Sequence, residues 1–184
     1  MDNSLAAVYL GILLILLGIL AGFIFRQVMR NRRMEATINR LQPKLNKATG
    51  TTQEHFELGS IYLSKKLPAQ AIAQFQKALK SATTDQEDLP GTEPEVNIAP
   101  IYNALGYAYF AQEQYDLAIR NYKEALSQQS DYITALNNLG HAYERKKLER
   151  QALEAYEQVL TKAPKNKTAN RRANVLRRRL TSLS

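Results

Sequence analysis

The chain has 184 residues, an apolar share of 45%, no cysteine and a formal net charge of +8. That length and composition accommodate one folded domain with an appendage, and the missing thiols exclude a disulfide framework, thiol catalysis, iron–sulfur ligation and a lipidated N-terminal cysteine. The charge is unevenly placed. Residues 26–50 carry seven basic side chains and one acidic, and residues 165–184 carry seven basic and none acidic. Residues 51–164 hold eleven basic and fifteen acidic groups, so a mildly acidic body lies between two basic ends.

The first predicted element is a transmembrane helix. Residues 5–25 read LAAVYLGILLILLGILAGFIF, 21 residues without a charge, which in helical form spans about the 30 Å of a bilayer core. A cleaved secretory signal has a basic start, a shorter apolar stretch and a small-x-small exit; here the segment before the run carries Asp2 and no basic side chain, and the run is longer. Arg26, Arg30, Arg32 and Arg33 follow the run directly, and basic flanks stay on the side that is not translocated. The body is therefore expected on the cytoplasmic or stromal side. Gly18 and Gly22 form a small-x-x-x-small pair that suits close helix approach, although glycine is common in membrane helices generally. Beyond the run, Met34, Ile38, Leu41 and Leu45 mark a helical stripe interrupted at Pro43. It either continues the anchor or covers the open end of the folded body.

Three blocks of the body align with one another. They are HFELGSIYLSKKLPAQAIAQFQKAL at 55–79, YNALGYAYFAQEQYDLAIRNYKEAL at 102–126 and LNNLGHAYERKKLERQALEAYEQVL at 136–160. Each carries Leu-Gly, a tyrosine three residues on, an alanine at plus twelve and an aromatic at plus sixteen from the glycine. The sets are Leu58, Gly59, Tyr62, Ala71 and Phe75; Leu105, Gly106, Tyr109, Ala118 and Tyr122; and Leu139, Gly140, Tyr143, Ala152 and Tyr156. The second and third blocks are offset by 34 residues. In this spacing the chain resembles tetratricopeptide-repeat (TPR) proteins, whose helical hairpins stack into a solenoid because no single hairpin buries its own apolar stripe. Small Gly and Ala then let paired helices cross closely, and the aromatics fill the core.

Thirteen extra residues separate the first and second blocks. They fall in an acidic stretch with Pro90, Gly91 and Pro94, which reads as a solvated loop or as a docking finger for a basic partner. Thr51 and Glu54 form a capping-box start for the first repeat, Asp131 is placed to cap the third, and Pro164 to end it. The last segment has Ala169, Ala173, Leu176 and Leu180 on one face, with Arg171, Arg172, Arg177, Arg178 and Arg179 largely elsewhere. A solenoid needs such a polar-faced end cap, and the same arginines also suit anionic lipid headgroups. Nucleic acid is not expected as a partner, since no recognised binding motif accompanies the charge.

The expected fold is all-α: a single N-terminal transmembrane helix, a TPR α-solenoid of three helix-turn-helix repeats and a C-terminal capping helix. The boundaries are an anchor with its basic flank at 1–30 and an amphipathic basic neck at 31–50. TPR 1 is placed at 52–85, the acidic Pro/Gly loop at 86–98, TPR 2 at 99–132, TPR 3 at 133–166 and the basic cap at 167–184.

Catalysis is not expected. The two histidines, His55 and His141, both lie in the first helix of a repeat, and no zinc-protease, nucleophile-elbow, phosphate-loop or dinucleotide motif is present. No cofactor or metal site is expected. Stacked hairpins instead present a concave wall made by their first helices, and the side chains there outside the packing signature are Phe56, Ser60, Asn103, Tyr107, Phe110, Asn137, His141 and Arg145. Asn offers a donor and an acceptor to an extended backbone, and the aromatics offer apolar contact. TPR domains that grip the acidic tails of chaperones carry lysines where this chain has Phe56, Asn103 and Asn137, which argues against that ligand.

One anchor, a basic neck, three TPR units with a long first inter-repeat loop and a basic last helix together resemble the Ycf37/Pyg7 family of photosystem I assembly proteins. The resemblance covers essentially the whole chain through its architecture and size. It implies a thylakoid location, with the repeats on the stromal or cytoplasmic side. It also implies a non-catalytic role in assembling or stabilising photosystem I, with photosystem I subunits or other assembly factors as partners. The alternative is a general membrane-tethered chaperone or quality-control adaptor of a bacterial membrane.

Overall fold

The structure, a computed structural model, describes residues 2–47, 50–87 and 97–182. These form eight α-helices, and no strand occurs among the described residues. The chain divides into two compact units, residues 1–46 and 47–184.

The first unit is essentially one helix, α1 (Asp2–Lys47), which runs unbroken through Pro43 and thereby joins the apolar run and the basic neck. Its 46 residues extend about 70 Å at the helical rise. Val8, Leu10, Leu14, Ile19, Phe23 and their neighbours are exposed all round the helix, so this stretch has no apolar stripe and no polar face. It is long and apolar enough to cross a membrane.

The second unit is built from hairpins. They are α2 (Thr52–Ser64) with α3 (Pro68–Glu87), α4 (Ala99–Ala111) with α5 (Tyr115–Gln128), and α6 (Ile133–Arg145) with α7 (Glu149–Lys162), followed by α8 (Lys167–Ser182). Each helix packs on the next, and the first helices also touch in turn, α2 on α4 and α4 on α6. Local chemistry places the ends. The Thr51 hydroxyl accepts from the Glu54 amide and the Glu54 carboxylate accepts from the Thr51 amide, both at 3.2 Å, closing the predicted capping box. Pro68 starts α3, where its missing N–H costs nothing. In all three hairpins the tight turn passes through one residue with positive φ, Lys66, Glu113 and Lys147, each at about 60°.

Asp131 does not cap α6. The helix begins one residue later, Tyr132 stands at the cap position without a side-chain hydrogen bond, and Asp131 is exposed. An unpredicted cap appears instead at α8, where Asn166 Oδ1 accepts from the Ala169 amide at 3.0 Å. Helix α3 runs to Glu87, past the predicted repeat boundary, and residues 88–96 of the acidic insertion lie outside the described residues.

The repeat signature forms the core. Phe75, Tyr122 and Tyr156 are almost completely buried, as are Ala71, Ala118 and Ala152. The three glycines lie directly beneath those rings: a Cβ on Gly59 would come within 2.6 Å of Phe75, and one on Gly106 within 2.7 Å of Tyr122. Burying an aromatic side chain of this size contributes about 1.5–3 kcal/mol, and only glycine lets the ring reach that depth. Of the first-helix tyrosines, Tyr143 is buried while Tyr62 and Tyr109 are half-buried and pack at the edge of the core.

Candidate protein-binding groove

Helices α4 and α6 lie side by side, joined by a 3.0 Å hydrogen bond from Asn138 Nδ2 to Asn103 Oδ1. Beside this bond is a cavity of about 320 Å³ lined by Tyr107, Phe110, Ala111, Glu113, Tyr115, Tyr122, Asn138, His141 and Arg145. The Phe110 ring is its hub. It meets Tyr115 edge-on at 5.3 Å between centroids and lies 4.8 Å from the His141 ring. Arg145 places its guanidinium carbon 5.0 Å from the Tyr115 centroid and 5.9 Å from that of Phe110, within range for a cation–π contact. Its ion pair with Glu113 is 3.5 Å long and exposed on both sides, so it contributes little and is readily exchanged.

The cavity is therefore aromatic on its walls and carries the Arg145–Glu113 ion pair at one edge. Burial lowers the pKa of His141, and Arg172 and Arg145 lower it further against an opposing contribution from Glu144. The imidazole is neutral at pH 7 and offers one donor and one acceptor. The Tyr115 hydroxyl is buried with no hydrogen-bond partner among the described residues. Such an arrangement has the chemistry to take an apolar or aromatic side chain and to hydrogen-bond polar groups beside it.

Of the residues expected on the concave wall, Tyr107, Phe110, His141 and Arg145 line this cavity, and Asn103 is joined to it through Asn138. Tyr107, at 52%, is the most exposed large apolar side chain among the described residues of the repeat body. Asn137 does not line it: its Nδ2 donates to the Ile133 carbonyl at 3.1 Å, and its Oδ1 is buried and unpaired. Phe56 packs on Phe75 at 5.7 Å in the core of the first hairpin, and the Ser60 hydroxyl is engaged by the Phe56 carbonyl at 2.8 Å. Tyr115, Glu113 and Asn138 are additions that repeat spacing did not single out. Asn138 occupies the register of Glu57 and Ala104, three unlike residues, so the alignment carries no consistent signal there. His55 is buried and bonded through Nδ1 to Gln74 Oε1 at 2.8 Å, away from this cavity.

The basic residues sort into two kinds. Arg26, Arg30, Arg32 and Arg33 are exposed on α1, just past its apolar stretch. On α8, Arg172 reaches Glu144 at 2.9 Å, Arg177 reaches Glu157 at 2.9 Å and Arg179 reaches Glu149 at 3.3 Å, while Arg171 and Arg178 are exposed and face outward.

Comparison with known proteins agrees with this architecture. Tetratricopeptide-repeat families match residues 55–85, 101–147 and 133–166. The chain is 36% identical to the protein Ycf37 of Cyanophora paradoxa over 96% of its own length and 97% of that protein's. This chain belongs to the Ycf37/PYG7 family of TPR proteins. It is also 36% identical to the chloroplastic TPR protein PYG7 of Arabidopsis thaliana, covering 97% of this chain and 56% of PYG7, and 35% identical to Ycf37 of Guillardia theta. Among solved structures it superposes on MamA with a TM-score of 0.68 at 22% identity, covering 78% of this chain and 76% of MamA. The TPR domain of Arabidopsis OM64 gives 0.60 at 20% identity, with 70% and 95% covered. At those identities the likeness concerns the fold alone. This chain is thus a TPR protein-interaction scaffold preceded by one long apolar helix.

Proposed function

We propose that this protein is a membrane-anchored scaffold that assembles or stabilises photosystem I at the thylakoid membrane, with its repeats on the cytoplasmic or stromal side. The observation that carries the reading is the likeness to Ycf37 over nearly the whole of both chains, which takes in the apolar helix and the repeats as one unit. The photosystem I client follows from the resemblance to that family of assembly proteins. The sidedness follows from the arginines after the apolar run. Within the scaffold, the cavity between α4 and α6 is the client site: Phe110 and Tyr115 receive an apolar side chain, and Arg145 exchanges Glu113 for an acidic or carbonyl group of the client.

A photoreactive amino acid at Tyr107, activated in intact membranes, tests this reading. It is expected to crosslink a photosystem I subunit or a second assembly factor, and the crosslink is expected to fall at least tenfold with Phe110→Ala and Arg145→Ala together. An unchanged crosslink in the double variant removes the cavity as the site. Deletion of the gene separates the scaffold from a general adaptor: selective loss of photosystem I supports the proposal, and broad membrane-protein defects overturn it.

A further inference from the structure

Helix α8 carries five arginines, two lysines stand at or just before its start, and no acidic residue occurs after Glu157. Its inner face is occupied by Ala169, Ala173 and Leu176, all buried. The flanks are occupied too. Arg172 and Arg179 turn to one side, where Glu144 and Glu149 meet them, and Arg177 turns to the other, where Glu157 takes both its Nε and its Nη2. These carboxylates of α6 and α7 are thus engaged by three of the arginines.

Lys167, Arg171 and Arg178 remain. At 100° per residue they fall within about 40° of one another, on the side of α8 opposite the buried alanines. All three are exposed, and none has a carboxylate partner among the described residues. The contact made by Arg178 is from Nε to the Asn174 carbonyl at 3.3 Å, which leaves its charge uncompensated. Asn174 and Val175 lie beside the stripe, exposed, and Val175 is one of the few exposed large apolar side chains of the repeat body. The outward face of the last helix thus carries a stripe of one sign, separate from the paired arginines on its flanks.

We infer that Lys167, Arg171 and Arg178 form a docking stripe for anionic lipid headgroups, which lays the last helix of the solenoid on the bilayer surface. This rests on the reading of α1 as the anchor. The argument for lipid over another anion is charge complementarity combined with chain connectivity: a helix that spans the bilayer tethers the repeats to the membrane, within reach of its surface. There each basic side chain contributes roughly a fivefold preference for an anionic leaflet. The stripe and the anchor then hold the solenoid to the membrane at two points.

The chain has no cysteine, so Val175→Cys gives a unique labelling site on the full-length protein. The labelled protein is reconstituted in vesicles of phosphatidylcholine alone or mixed with phosphatidylglycerol, each doped with a headgroup quencher. Quenching is expected several-fold stronger with phosphatidylglycerol and lost near 1 M salt, where screening is nearly complete. The triple change Lys167→Ala, Arg171→Ala and Arg178→Ala is expected to weaken the contact on the order of a hundredfold. Neutralising Lys77, Arg120 and Lys123, exposed on α3 and α5, matches the charge change and is expected to leave the contact in place. Equal quenching in both lipids, or quenching that survives the triple change, overturns the stripe. So does a label that stays silent in lipid and responds to polyglutamate or RNA. Flotation with phosphatidylcholine vesicles reads the anchor separately: protein that does not float refutes the anchor, and protein that floats with a silent label refutes the stripe alone.

Discussion

Gly140 lies so close beneath Tyr156 that a Cβ on the glycine would stand 2.8 Å from Cζ of the ring. The ring cannot yield, because it is almost completely buried and its hydroxyl donates a 2.7 Å hydrogen bond to Glu144, whose other oxygen holds Arg172. Gly140→Ala gains about 1 kcal/mol of helix propensity and loses about 1–3 kcal/mol to overpacking. The variant is expected to unfold at a lower temperature than the parent in circular dichroism, and an unchanged or raised midpoint would show that the hairpin relaxes.

Stability is expected to fall on the alkaline side. Burial raises the pKa of Tyr122 and Tyr156 above the usual 10.0, and for Tyr156 the hydrogen bond to Glu144 adds to it. The unfolded chain releases these protons above pH 10 while the folded chain keeps them. The stabilisation is therefore complete below pH 10 and is lost as pH rises beyond it. Denaturant midpoints measured from pH 8 to 11 should drop above 10. Tyr156→Phe should flatten that drop, and an equal slope in the variant would refute the assignment.

His141 provides the corresponding acid-side test. Its pKa lies below the usual 6.5 through burial first, then Arg172, then Arg145. Stability from the neutral imidazole is present above pH 6.5 and is lost as pH falls through that range. In an NMR titration, Arg172→Gln and Arg145→Gln should each raise the His141 pKa, the former more. A downward shift in either would contradict the geometry.

The turns at Lys66 and Lys147 hold a non-glycine residue in the left-handed region. That conformation costs a side-chain-bearing residue about 1–2 kcal/mol, of which the extra freedom of glycine in the unfolded chain offsets about half. Lys147→Gly should therefore raise the unfolding temperature by about 1–4 °C. Lys147→Val should lower it, and the reverse order would refute the turn assignment.

Sequence alone determined the helices, their pairing into hairpins and the apolar run. These depend on periodicities of a few residues and on small-large pairs sixteen residues apart, as between Gly140 and Tyr156. It also marked Tyr107, Phe110, His141 and Arg145, because they stand on first helices outside the packing signature. It did not separate Asn137 from Asn138. Both stand on the same helix, and the register of α6 against α4 turns Asn138 toward Asn103 and leaves Asn137 on its own backbone. Nor did it sort the α8 arginines, whose carboxylate partners lie 20 to 30 residues away on other helices. Charge sets that a helix carries such groups. Only the packing of α8 on the last hairpin decides which of them meet a carboxylate and which face outward.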